Sequence, residues 1–98
     1  MSLTAAQKRF LRSRAHHLKP VVMVGQHGLG ENILSEVGIA LDAHELIKVK
    51  IAAGREERTD ITRAIVDRTG AELVQTIGQM SVLFRRNEKK PKILLPKE

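Results

Sequence analysis

The sequence predicts an α/β domain with the element order α-β-α-β-α-β-β. Two periodicities and their punctuation predict it. Apolar residues recur at three- and four-residue steps in three segments, run on or alternate with period two in four shorter ones, and glycine, proline or a capping residue separates most of them. Ninety-eight residues are enough for one core burying roughly 60 to 65 per cent of the unfolded surface. Residues 1–98 therefore read as a single domain, with 87–98 a basic tail. The apolar content of 42 % is slightly low, but its grouping into periodic segments argues for a folded chain.

Thr4-Ala5-Ala6-Gln7 has the spacing of a capping box, so a helix should start there and run to about His16. Ala6, Phe10 and Leu11 form its core stripe, continued by Ala15 and Leu18, whereas Lys8, Arg12 and His16 repeat every four residues on another face. Val21 to Val24 follows Pro20 and is too short for a helix. Apolar throughout, it is expected to be a central strand covered on both faces. Leu29, Ile33, Val37 and Ala40/Leu41 mark a second helix ending near His44. Leu46 to Ile51 alternates, with Ile47, Val49 and Ile51 on one face and Lys48 and Lys50 on the other. Gly54 marks a turn, Thr59 or Asp60 is expected to cap a third helix through Ile61, Ala64 and Ile65, and Gly70 is placed to close it. Leu73–Ile77 and Met80–Arg86 read as strands joined at Gly78-Gln79. From Asn87 the chain is Lys-rich and Pro-punctuated. Charge alone makes that a solvated, mobile tail, although Ile93-Leu94-Leu95-Pro96 suggests a return to the body.

Charge is unevenly spread. Residues 1–30 hold five Lys or Arg and no acid, residues 31–84 hold six basic against nine acidic side chains, and residues 85–98 hold six against two. The basic opening segment should attract a polyanion. Beside it lies Gly25-Gln26-His27-Gly28, between a strand and a helix start. Glycine there admits positive φ and close approach to the main chain, and the helix N-terminus favours an anion.

The larger nucleotide fingerprints fail. A Walker loop begun at Gly25 needs Lys and Ser/Thr where Glu31 and Asn32 stand, and Gly28-Leu29-Gly30 has no third glycine for the dinucleotide pattern. ATP, GTP and NAD are therefore not expected. The spacing that remains matches the GXXG loop of KH-type modules, which clamps a nucleic-acid backbone. Alone, it is equally the pattern of a tight strand-to-helix connection.

Without cysteine there are no disulfides and no thiolate chemistry. His16, His17, His27 and His44 lack ligand spacing, and no serine sits in a nucleophile elbow, so neither a metal, a cofactor nor catalysis is expected. Phe10 and Phe84 are the sole aromatics and read as packed, which favours phosphate and shape recognition over base stacking. The first helix has no aromatic anchor for a membrane.

Val21 to Leu29 with Glu31, Ala40-Leu41, His44 to Lys50, Val74-Gln75, Ile77-Gly78, Leu83-Phe84-Arg85 and the terminal Lys92 to Pro96 resemble the stand-alone YhbY-type bacterial RNA-binding proteins of the CRM (chloroplast RNA splicing and ribosome maturation) domain family. The resemblance covers nearly the whole chain. It implies a four-stranded mixed sheet with helices packed on it, similar to the C-terminal domain of the third translation initiation factor. It also implies a non-enzymatic RNA-binding factor associated with precursors of the large ribosomal subunit, with the GXXG loop and neighbouring basic surface as the RNA-binding region. Gln26 stands where many members have Lys, and Gly30 where many have Thr or Ser at the helix cap. The first departure removes a phosphate contact and moves weight to the first helix.

The expected interface is Lys8, Arg9, Arg12, His16 and Lys19, with Gly25, Gln26, His27 and Gly28, widened by Lys48, Lys50, Arg85 and Arg86. The expected partner is structured ribosomal RNA, bound by a cytoplasmic monomer with no small-molecule substrate and no membrane attachment. Non-specific binding to duplex DNA, or a protein-interaction role on the ribosome, stands as the alternative.

Overall fold

Seven elements follow one another in the predicted order in the computed structural model, which describes residues 3–97. They are α1 (Ala5–Ala15), β1 (Pro20–Val24), α2 (Glu31–His44), β2 (Leu46–Ile51), α3 (Arg55–Thr69), β3 (Glu72–Ile77) and β4 (Met80–Phe84). The four strands form one mixed sheet in the order β1-β2-β4-β3, with β1 parallel to β2 and the other neighbours antiparallel. β1-α2-β2 is thus the crossover that a parallel pair requires.

The alternation of β2 sets the layers. Ile47, Val49 and Ile51 pack with Val22 and Val24 of β1 against Val37 and Leu41 of α2 and Ile65 of α3. On the opposite face Leu46, Val74, Val82 and Phe84 meet Leu11 and Ala15 of α1 and Ile93 of the tail. Each such aliphatic side chain taken from water contributes about 1.5–3 kcal/mol. The sheet therefore has α2 and α3 on one side, α1 and the tail on the other.

Local chemistry closes several elements as expected. Thr4 Oγ1 accepts from the Gln7 N–H at 3.1 Å, and Gln7 Oε1 accepts from the Thr4 N–H at 3.0 Å. Gly70 ends α3 at φ 75°, a left-handed conformation costly to other residues. Gly78, at φ 56°, starts the two-residue hairpin turn between Ile77 and Met80.

Four expectations need correction. β1 is an edge strand, with Val21 49 % and Met23 58 % exposed. Only β2 pairs with it, and α1 packs on β2 and β3, so one face of β1 is covered and the other is open. Helix α3 starts at Arg55, not near Thr59 or Asp60; Gly54 is its N-cap, without a side-chain cap. Glu56 and Glu57 in the first turn favour that earlier start through the helix dipole, and the Thr59 hydroxyl donates back to the Arg55 carbonyl at 3.1 Å. Leu18 does not continue the core stripe, because α1 ends at Ala15 and the chain then turns. Finally, the tail is tied down.

Glu45 ties it. Directly after α2 this residue takes φ 64° and is wholly buried. Its carboxylate accepts from the backbone N–H groups of Asn87 (2.6 Å), Lys92 (2.7 Å) and Ile93 (2.7 Å). Burial raises the carboxyl's pKa, but those three donors and the positive charge of Arg86 outweigh it and hold the group below its ordinary value. Further along, Gln7 Nε2 donates to the Pro96 carbonyl at 2.9 Å, seating the tail against α1.

Candidate nucleic-acid interface

The spacing that places Lys8, Arg12 and His16 on one side of α1 follows from its 3.6-residue turn. Leu11 and Ala15 point into the core, so the neighbouring stripe lies where helix and sheet diverge. There Arg12, His16 and His17 line a cleft of about 360 Å³ with Lys48 of β2 and Gln75 and Ile77 of β3. Three positions far apart in sequence are brought together: the end of α1, the middle of β2 and the end of β3. The His16 and His17 rings meet edge to face at 5.5 Å. Arg14 lies over the Phe10 ring at 5.8 Å, a cation–π contact that holds its charge on the other side of the helix.

Arg14 and Lys19 line a second groove of about 400 Å³ with Val21, His44 and Lys92. Among the described residues no Asp or Glu lines either groove. Two carboxylates are taken up by backbone donors: Glu45 by the tail, and Glu72 by the Leu3 N–H at 2.9 Å. The α1 side is thus a cationic surface without internal neutralisation.

Between the cleft and the glycine loop the sheet is uncovered. Lys48 and Lys50 stand half-buried on this face, one pleat apart, about 7 Å along the strand. Met23 pairs with Lys50, and Ile77, 48 % exposed, faces the same side. An apolar floor with two ammonium groups thus leads from α1 toward the turn after β1.

That turn is Gly25-Gln26-His27-Gly28. The Gly28 N–H closes it onto the Gly25 carbonyl at 3.0 Å, with Gly28 at φ 78°. Gln26 and His27 are exposed at the tip, and their amides have no backbone acceptor among the described residues. A Cβ built on Gly25 or Gly28 meets nothing within 4 Å, so the protein's own packing does not require glycine at Gly25, and only the φ requires it at Gly28. α2 begins three residues on, at Glu31, capped by Gly30 without a side-chain hydrogen bond. Glu31, at its first turn, is drawn aside into a two-oxygen pair with Arg68 at 2.9 and 3.1 Å. Both partners are largely exposed, so the pair contributes little stability.

The expected interface is therefore assembled in part. Lys8, Arg9 and Arg12 share α1 with His16 at its C-cap, Lys48 and Lys50 lie on the sheet face beside it, and the loop stands at the end of β1. Lys19 lies in the second groove. Arg86 is close enough for its charge to act on the Glu45 carboxylate, without forming an ion pair with it. Arg85 is not available: its guanidinium donates to Thr69 O (2.7 Å), Gly38 O (3.1 Å) and Asp42 Oδ1 (2.8 Å), on the α2/α3 side. It fastens the end of β4 to both helices, as the buried carboxylate of Glu45 fastens the tail. Charge pattern alone does not distinguish such a spent guanidinium from a free one. Glu45 likewise carries no motif that marks it as an anchor. Among the described residues no helix is long and apolar enough to cross a membrane.

Known proteins resemble this chain in sequence and in fold. The chain is 52 % identical over 98 residues to an RNA-binding protein of Haemophilus influenzae, covering 99 % of this chain and 98 % of that one. It is 44 % identical over 95 residues to the probable RNA-binding protein YqeI of Bacillus subtilis, covering 96 % and 99 %. A hypothetical protein of Staphylococcus aureus, solved in solution, superposes with a TM-score of 0.83 at 35 % identity over 97 % of this chain and all of that one. Residues 3–85 match the family description itself, and the chain belongs to the CRS1 / YhbY (CRM) domain family.

Proposed function

We propose that this protein binds structured RNA through the α1 side, docking on ribosomal RNA in precursors of the large subunit as an assembly factor without catalysis. The observation that carries the reading is the cationic cleft of Arg12, His16 and Lys48, which continues over an open sheet face toward an exposed glycine turn and has no carboxylate in its lining. The family membership and the relatives named as RNA-binding proteins support it. In this reading the lysines and arginines neutralise phosphates, and the turn's unpaired amides seat one backbone segment. With no aromatic side chain on the open sheet, recognition is of shape and phosphate position. The protein acts as a monomer in the cytoplasm.

Binding of purified ribosomal RNA fragments at several salt concentrations tests this. Lys8→Glu/Arg12→Glu is expected to weaken binding and to flatten the log–log salt slope by roughly 0.7–0.9 for each phosphate no longer neutralised. Unchanged affinity removes α1 from the interface, and a preference for duplex DNA at equal salt refutes the RNA assignment.

A further inference from the structure

A cavity of about 470 Å³ opens on the other side of the sheet, between α3 and the β3–β4 hairpin. One wall is a single helical stripe: Arg55, Arg58, Thr59, Thr62, Arg63 and Val66 follow one another at the three- and four-residue steps that share a face. The opposite wall is Leu73 and Thr76 of β3, and the buried hydroxyls of Thr62 and Ser81 are hydrogen-bonded at 2.8 Å within the lining. The carboxylates of α3, at Glu56, Glu57, Asp60 and Asp67, are absent from that lining. Residues 31–84 are acidic in sum, yet α3 sorts its charges so that three arginines face one cleft.

Those arginines are not consumed by ion pairs. The two salt bridges among the described residues are Arg68–Glu31 and Arg85–Asp42. Arg58 Nη1 donates to the Ala53 carbonyl at 2.7 Å, which fixes its guanidinium at the cleft while leaving its charge uncompensated. Guanidinium groups bind phosphate oxygens bidentately. Val66 and Leu73 offer an apolar wall, and Thr76 offers a hydroxyl to a sugar or base edge. The volume lies within the roughly 300–1,000 Å³ of small-ligand pockets.

We propose that this cleft holds one nucleotide of RNA, its phosphate on Arg55, Arg58 and Arg63 and its base against Val66 and Leu73. An acidic peptide would engage the arginines and leave the apolar wall uncovered, so the lining favours a nucleotide. Placement adds to the argument. β3 is an edge strand, with Gln75 and Ile77 in the α1-side cleft and Leu73 and Thr76 in this one, so an RNA segment crossing its outer edge meets cationic surface on both sides. The inference rests on the RNA reading only for the source of the ligand.

Nuclear magnetic resonance of the full chain titrated with millimolar AMP or UMP separates the two. Shifts at Thr59, Thr62, Leu73 and Thr76 are expected in the wild type and in Lys8→Glu/Arg12→Glu, and should vanish in Arg55→Ala/Arg63→Ala. Both replaced arginines are exposed, so the fold is retained. The same variant should bind ribosomal RNA about tenfold more weakly with a flatter salt slope. No shift at these residues, shifts on the α1 side alone, inorganic phosphate reproducing the full pattern including Leu73, or an oligoglutamate peptide outcompeting the nucleotide each overturns the assignment. If nucleotide shifts persist at α3 while Lys8→Glu/Arg12→Glu leaves RNA affinity unchanged, the α1 reading falls and this one stands.

Discussion

Glu45 holds three points of the tail with one carboxylate. A non-glycine residue at φ 64° costs on the order of 1 kcal/mol, and it persists here because hydrogen bonds to Asn87, Lys92 and Ile93 fix it. Hydrogen bonds to a charged acceptor are worth about 1.5–3 kcal/mol each, and their loss leaves buried N–H groups unpaired. Glu45→Gln is therefore expected to destabilise the protein by about 2–4 kcal/mol, since the amide presents donors to donors. The pH dependence has a definite sign. The folded-state pKa lies below the unfolded one, so the stabilisation is complete above the unfolded value and disappears as pH falls through the folded value. The stability gap between wild type and Glu45→Gln should thus be widest near neutrality and close in acid. Denaturant titrations across pH, with hydrogen exchange at Lys92 and Ile93, measure it. A gap that stays constant into acid would assign the anchoring to packing rather than charge.

At the scale of elements, α1 matters most for the proposed interface, because its docking positions Arg12 and His16 beside Lys48. Its start depends on the reciprocal Thr4–Gln7 bonds, and Gln7 also holds Pro96. Thr4→Ala should cost about 1 kcal/mol in denaturant unfolding. A proportionate change in RNA affinity is not expected, because the basic row lies one turn and more further on. The elements bounded by such side-chain or glycine chemistry were readable in the sequence: the capping box, Gly70 after α3 and Gly78 in the hairpin each leave a signature. β1 was not, because Val21 to Val24 looks the same beside one strand or two. The start of α3 was not, because Gly54 caps through backbone conformation and offers no hydroxyl or carboxylate to recognise. The α1 row was legible from its four-residue spacing. The α3 arginines were hidden because their acidic neighbours cancel them in any count along the chain, and only the helix's rotation separates the two signs.

At the scale of the molecule, two cores share one sheet. β2 and β4 contribute to both, with Ile47 and Leu83 facing α2 and α3 while Leu46, Val82 and Phe84 face α1 and the tail. A strand cannot lose one face's order and keep its hydrogen-bonded register for the other, so the two cores should unfold together. Leu11 and Ile65 probe them separately, each wholly buried on its own side. Leu11→Ala and Ile65→Ala are each expected to cost about 2–5 kcal/mol and to lower a single transition. Without Trp or Tyr in the chain, circular dichroism and resolved methyl resonances are the suitable probes. Coincident curves from both sides in both variants are the expected outcome. If Leu11→Ala instead releases α1 in a separate earlier step, the cationic cleft becomes an element that can detach from the sheet, and RNA binding would then include the free energy of docking it. In that case affinity should fall in Leu11→Ala even though no charge has changed; in the cooperative molecule it falls only where the whole domain unfolds.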